Sequence, residues 1–77
     1  IQKGSFLVDT LTPIELFNIT FDTHYSDTYF NTIGGIIAQK FGKIAQEGDQ
    51  CNLGELSVTV LKASKTHIQL VEIKNKV

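Results

Sequence analysis

The chain has 77 residues, 42% of them hydrophobic, and a formal net charge of −1, with seven lysines, no arginine and eight acidic residues. This length allows one hydrophobic core, so we expect a single domain over residues 1–77. The balanced charge and the lack of arginine exclude a basic phosphate-binding surface and argue against a nucleic-acid partner. No run of about 18 apolar residues is present, which excludes a membrane-spanning segment within this sequence.

The cysteine content and the first residue give expectations about context. Cys51 is the only cysteine, so no internal disulfide can form, and a reducing compartment fits best. The sequence opens at Ile1 without a methionine. We therefore expect a piece cut from a longer protein.

The first residues predict a strand followed by a capped helix. Residues 5–9 read SFLVD and are rich in β-forming side chains. Thr12 is placed to cap the helix, Pro13 suits the first helical position, and Glu15 could close a capping box.

The apolar residues of this helix predict its packing. Leu11 and Leu16 have the spacing of a hydrophobic staple across the helix start. Ile14, Phe17 and Phe21 recur at helical intervals, so one face should pack on a core. We expect the helix to end near residue 19 or 20.

A long loop and a second helix follow. Residues 22–31 show no apolar periodicity and predict a connecting loop. The second helix should begin at Asn31 or Thr32, and Gly42 should end it in a left-handed conformation. Its apolar stripe consists of Ile33, Ile36, Ile37 and Phe41.

The second helix also carries a strip of small residues. Gly34, Ala38 and Gly42 recur at every fourth position, which lets another backbone approach closely. We expect the sheet to be that contact, so that leucine at Gly34 or Ala38 would unfold the molecule.

Three strands are predicted after the second helix. Residues 50–53 form a short strand that turns back at Gly54. Residues 55–63 alternate between apolar and polar side chains, the pattern of a half-buried strand. In the last strand, residues 67–74, the apolar positions change phase, which predicts a bulge or burial of both faces. The expected fold is an α+β domain, β-α-α-β-β-β, with a small antiparallel sheet of about four strands packed by two helices.

Two places have residue types that bind ligands. Asp22, His24 and Asp27 would place two carboxylates and an imidazole around a divalent cation if the loop curled around it. Gly34 and Gly35 could present free N–H groups of a helix start to a phosphate. A solvated loop explains the first pattern and close helix packing explains the second, so we assign neither as a metal or cofactor site.

The remaining candidate residues do not indicate a particular reaction or ligand. Cys51 lacks a neighbouring histidine or a second cysteine and is expected to be a small buried residue. His67 should be exposed at a turn, and residues 25–30 could form a contact patch, with Phe30 packing on the second helix. No catalytic triad or carboxylate pair can be assembled, so the sequence predicts no enzyme.

The ordered motifs resemble the transporter-associated domain of the CorC/HlyC family over nearly the whole chain. Three places depart from the family's usual pattern: Thr10 replaces a common glycine, the usual Leu-Pro of the loop is replaced around residues 24–26, and Ala45 replaces a common proline. The motifs that carry the resemblance are Gly4-Ser5 with Asp9, Pro13-Ile14, Leu16-Phe17-Asn18, Phe30-Asn31-Thr32-Ile33-Gly34-Gly35, Phe41-Gly42-Lys43-Ile44 and Gly48-Asp49.

The resemblance implies an accessory module of a magnesium and cobalt efflux or hemolysin-like protein. Such a module follows a CBS-domain pair on the cytoplasmic side of a membrane-anchored polypeptide and modulates ion transport without forming the pore. Its partners would be the CBS pair and the membrane domain of the same polypeptide. The family's fold is grouped with flavin-binding domains, which implies FAD or an adenine nucleotide as a cofactor by fold resemblance alone.

Two alternatives to the accessory module stay open at this point. One is a small-ligand domain, with a flavin-type nucleotide at Gly34-Gly35 or a divalent ion at residues 22–27. The other is a homotypic or interdomain contact module that uses an exposed strand edge or residues 25–30.

Overall fold

The computed structural model describes residues 5–26 and 28–75. The four strands form one antiparallel sheet in the order β1-β4-β3-β2. The predicted α+β class and the element order β-α-α-β-β-β are therefore confirmed. The elements are β1 (Ser5–Asp9), α1 (Ile14–Phe21), α2 (Ile33–Phe41), β2 (Gln50–Leu53), β3 (Leu56–Ala63) and β4 (Ile68–Asn75).

One face of the sheet carries the core, and both helices pack on it. Directly paired residues of an antiparallel sheet share a face, so Val8, Val71 and Val60 lie in one row across three strands. Phe17 of α1 and Ile37 of α2 cover this face and are almost wholly buried. Within the described residues, neither helix is long and apolar enough to cross a bilayer.

The predicted capping box at the start of α1 is wrong. The Thr12 hydroxyl donates to the Asp9 carbonyl oxygen at 2.6 Å, and no side-chain hydrogen bond caps the helix. The chain makes a tight turn after β1, which brings that carbonyl within reach before the helix begins. Leu11 and Leu16 are both exposed, so the predicted staple does not bury them either.

The helix ends follow the sequence more closely. The α1 helix runs to Phe21, and Asp22 then takes a left-handed conformation with φ of 55°. The α2 helix follows Thr32 and ends at Gly42, whose φ of 68° confirms the predicted left-handed cap.

The phase change in β4 is a pair of bulges. The register passes from Val60 opposite Val71 to Lys62 opposite Leu70, and then to Ala63 opposite Ile68. One extra residue on each strand returns Ile68 to the core face, where it is buried. The predicted bulge is confirmed.

Candidate functional site

A mainly apolar groove of about 370 Å³ lies between α2, the segment after it and the β3–β4 turn. Its floor contains the small residues Gly34, Gly35 and Ala38. Leu11 and Ile44 also line the groove, and both side chains are exposed. Its volume falls near the lower end of the range usual for small-molecule pockets, which is about 300–1,000 Å³.

The floor of the groove depends on a close backbone approach at Gly34. Its N–H donates to the Thr10 carbonyl oxygen at 3.0 Å, and a Cβ at this position would lie 2.8 Å from the same oxygen. The predicted close approach is therefore real at Gly34, but its partner is the segment after β1 and not the face of the sheet. Ala38 is exposed, and no atom of the described residues lies within 4 Å of the place that a Cβ at Gly42 would take, so the close approach does not continue along the helix.

A phosphate at Gly34 and Gly35 would need the N–H groups of the first turn of α2 as donors. The Ile33 N–H donates to the Thr12 carbonyl oxygen at 2.9 Å, the Gly35 N–H donates to the Thr32 carbonyl oxygen at 3.2 Å, and the Gly34 N–H is bonded to Thr10. These three donors already have partners within the chain. Phe30 packs against Gly35, as expected, and its side chain occupies the place that a Cβ would take.

Thr10 fixes one wall of the groove. It is only 4% exposed, and its hydroxyl donates to the Ile68 carbonyl oxygen at 2.7 Å and contacts the Gln69 oxygen at 3.2 Å. Its backbone N–H donates to the Gln69 oxygen at 3.1 Å. Thr10 therefore ties the end of β1 to the bulge of β4 while its carbonyl receives α2. Only the departure from glycine at this position set Thr10 apart in the sequence, and it did not indicate this role.

The turn after α2 closes the other end of the groove. The Asp49 carboxylate accepts the Gln46 N–H at 2.9 Å and lies 3.5 Å from the Lys43 ammonium. The Gln46 hydrogen bond, with a smaller contribution from Lys43, lowers the pKa of the Asp49 carboxyl. Backbone hydrogen bonds hold this turn against β3: the Val60 N–H donates to the Asp49 carbonyl oxygen, and the Val60 carbonyl oxygen accepts the Gly48 N–H, both at 2.8 Å.

Hydroxyl groups and an imidazole organise the β3–β4 turn at the rim. His67 Nδ1 lies 3.2 Å from the Ser64 hydroxyl and 3.1 Å from the Thr66 hydroxyl, and all these contacts are exposed. His67 is exposed, as expected. Among the described residues no hydrogen bond joins its ring to a carboxylate, so the serine–histidine contact lacks the third group of a catalytic triad.

The loop after α1 is organised by Asn18. Its amide donates to the Tyr25 carbonyl at 2.9 Å, and its side-chain oxygen accepts the Thr23 hydroxyl at 2.9 Å and the Tyr25 N–H at 3.0 Å. The sequence motif contained this residue, but the pattern did not identify it as the residue that holds the loop.

The metal candidates lie in this loop. Asp22 and His24 are exposed, and Asp27 lies outside the described residues. Residues 5–26 and 28–75 contain no cluster of three or more histidine, cysteine, aspartate or glutamate residues that could hold a metal ion. The trio of the sequence prediction therefore stays a prediction.

Cys51 has the environment of a packing residue. It is half-buried against the core, and burial raises the pKa of its thiol despite the opposing effect of Lys40. A raised pKa keeps the sulfur protonated and poorly nucleophilic. Tyr25 is likewise partly buried, with its ring 6.1 Å from that of Phe17, and burial raises the pKa of its hydroxyl.

Together these features define a small two-layer α+β domain with a surface groove. The chain belongs to the CorC/HlyC family, whose sequence profile, described as the transporter associated domain, matches residues 1–77. This agrees with the resemblance carried by the sequence motifs.

Individual relatives and structures agree with this assignment. The Pasteurella multocida protein named magnesium and cobalt efflux protein CorC is 35% identical over 71 residues, which are 91% of this chain and 24% of that protein. The chain spans about a quarter of the length of the curated relatives that it matches.

Solved structures share the fold. The crystal structure of a putative Mg2+ and Co2+ transporter (CorC) associated region from Neisseria meningitidis has a TM-score of 0.91 and 27% identity, covering 97% of this chain and 93% of that chain. The CorC/HlyC domain of a Xylella fastidiosa hemolysin, solved in complex with Mg++ and Mn++, has a TM-score of 0.82 and 20% identity, covering 97% and 91%.

Proposed function

We propose that this chain is a non-catalytic accessory module that regulates an ion transport or efflux protein of the CorC/HlyC type. The observation that carries the proposal is the match of the whole chain to a transporter-associated domain, while the relatives named as magnesium and cobalt efflux proteins are about four times as long. Residues 1–77 would be one domain of a membrane-anchored polypeptide. It would lie on the cytoplasmic side of the membrane, beside a CBS-domain pair and the membrane domain.

The groove is the surface through which we expect the module to contact the rest of that polypeptide. Its exposed aliphatic flanks, Leu11 and Ile44, suit apolar side chains of a partner, and the small, exposed side chain of Ala38 leaves room for them. Lys43, Lys62 and Lys65 lie around the groove or in the adjoining depressions. A complementary segment would therefore combine apolar residues with carboxylates.

Replacing the matching quarter of the Pasteurella multocida CorC protein tests this proposal. A chimera would carry this chain in that place and a deletion variant would lack the region, with magnesium and cobalt efflux measured from loaded cells. Efflux or its regulation should change in the deletion variant and recover, at least in part, in the chimera. If the deletion leaves transport and its regulation unchanged, the accessory role is wrong.

A second candidate function is divalent-cation binding by the domain itself. It is supported by the Xylella fastidiosa neighbour, whose structure was solved with Mg++ and Mn++, and its ligands here would be Asp22, His24 and Asp27. Melting the isolated chain with increasing MgCl₂ or MnCl₂ tests it, because a ligand at 100 times its dissociation constant adds about 2.7 kcal/mol. A melting temperature that rises in the parent but not in Asp22→Asn would support this site, and no rise with either cation would remove it.

A further inference from the structure

Among residues 5–26 and 28–75, the β1 strand leaves one edge of the sheet unpaired, because it pairs with β4 alone. The Thr10 N–H donates to the Gln69 carbonyl oxygen at 3.1 Å, one position beyond the pair Asp9–Leu70. Successive residues of a strand direct their backbone groups to opposite sides. The N–H and C=O of Leu7, at the middle of β1, therefore point away from β4, as does the N–H of Asp9.

This edge lacks the usual protection against pairing. Natural edge strands are blunted by lysines, prolines or bulges, whereas β1 carries only one charged side chain, that of Asp9. The strand at the other edge, β2, is four residues long and includes the exposed polar residues Gln50 and Asn52. The two edges therefore differ, and β1 is the one suited to a partner.

An apolar surface adjoins the free edge. Phe6 is 42% exposed and Leu7 65%, while Leu16 of α1 is 53% exposed. A cleft of about 230 Å³ between β1 and α1 is lined by Phe6, Leu7 and Leu16, among other residues. Phe6 lies on the helical face of the sheet and Leu7 on the other face, so both faces of this edge carry exposed apolar side chains, which mark interaction sites in soluble proteins.

We propose that β1 pairs with β1 of a second copy of this chain, antiparallel about a two-fold axis through Leu7. In this register Leu7 lies opposite Leu7 of the other copy, Phe6 opposite Val8 and Ser5 opposite Asp9. Each pair joins residues of the same face, so the two helical layers lie on one side of a continuous eight-stranded sheet. The outward backbone groups of the two Leu7 residues bond to each other.

The charges and the area fit a second copy. The pairing places each Asp9 opposite a serine, and the two Asp9 residues lie about four strand positions apart, roughly 13 Å, so their repulsion is largely screened. Phe6, Leu7 and Leu16 expose roughly 300 Å² per copy, so the pair with its strand backbones buries under about 1,000 Å², which is the size of a weak interface. Two identical β1 strands can therefore pair in this register with little charge repulsion.

Sedimentation of the isolated chain, from about 5 to 500 μM to suit a small interface, tests the proposal. The parent should pass from monomer to dimer in this range. Leu7→Lys, which places two ammonium groups opposite each other at the axis, should stay monomeric. Leu61→Lys, a matched change at an exposed leucine of the interior strand β3, should dimerise like the parent. A monomeric parent at the highest concentration would overturn the proposal and favour another segment as the occupant of the edge.

A cross-link tests the register. Directly hydrogen-bonded partners lie about 5.5 Å apart between Cα atoms, within disulfide range. In a Cys51→Ser background, Leu7→Cys should therefore form an intermolecular disulfide on mild oxidation, whereas Leu61→Cys should not. Equal cross-linking of the two variants would contradict pairing through Leu7.

Discussion

Replacing Gly34 with alanine should destabilise the domain, although the same change stabilises most helices. Helix propensity alone favours alanine over glycine by about 1 kcal/mol. Here the new Cβ would lie 2.8 Å from the Thr10 carbonyl oxygen and 2.9 Å from the Thr10 Cβ. Thr10 cannot move aside freely, because its hydroxyl and its N–H are both bonded to β4.

The expected loss follows from three contributions. Overpacking of this kind costs about 1–3 kcal/mol, and weakening the hydrogen bond from Gly34 to Thr10 costs about 1 kcal/mol more. The gain in helix propensity offsets about 1 kcal/mol of this. We expect a net loss of about 2 kcal/mol, which corresponds to a fall in melting temperature of about 8–16 °C for a domain of this size.

Urea and thermal unfolding followed by circular dichroism would measure this loss. Ala38→Gly, at an exposed position of the same helix, is the matched control, because it reports the alanine–glycine difference without a neighbouring wall. It should cost about 1 kcal/mol. A Gly34→Ala variant as stable as the parent, or more stable, would refute the close packing at Thr10.

Three further changes test neighbouring parts of the structure. Thr10→Val keeps the shape but removes the hydroxyl that donates to β4, and should cost about 1–3 kcal/mol in urea unfolding, because buried carbonyls lose a donor; an unchanged midpoint would contradict that bond. The pKa of Asp49 is lowered, chiefly by the Gln46 N–H, so its stabilisation is present above pH 3.8 and lost as the pH falls through the lower folded value. The melting temperature of Asp49→Asn should therefore lie below that of the parent at pH 7 and converge with it in acid; a gap that persists in acid would contradict the assignment. Because burial raises the pKa of Cys51, iodoacetamide at pH 8 should modify the native thiol more slowly than the thiol in urea; equal rates would show that it is not shielded.

Local patterns were enough to predict the order of elements. Gly42 after an apolar stripe predicts the end of α2, and the alternation of β3 predicts its buried face, because both depend on neighbours along the chain. The capping box failed for the opposite reason. The hydroxyl of Thr12 found a nearer acceptor in Asp9, and that acceptor is available only because of the turn after β1.

The groove could not be predicted because distant segments build it. Its lining comes from residues 10–11, 32–38, 43–45 and 66–68, which no local pattern connects. The glycine pattern indicated a close approach, but only the fold shows that Thr10 is its partner and that Ala38 is exposed. Because Ala38 is exposed and lines the groove, a leucine there should enter the groove and leave the molecule folded, contrary to the expectation from the sequence.

A leucine at position 38 therefore gives the most direct test of the proposed function. Ala38→Leu fills the groove, whereas Gln39→Leu adds a similar side chain at the next exposed position of α2, outside the groove lining. Both variants of the isolated domain should melt within a few degrees of the parent. In the Pasteurella multocida chimera, the contact proposed for the groove predicts that magnesium and cobalt efflux changes with Ala38→Leu and not with Gln39→Leu. Equal efflux in the two variants would contradict it.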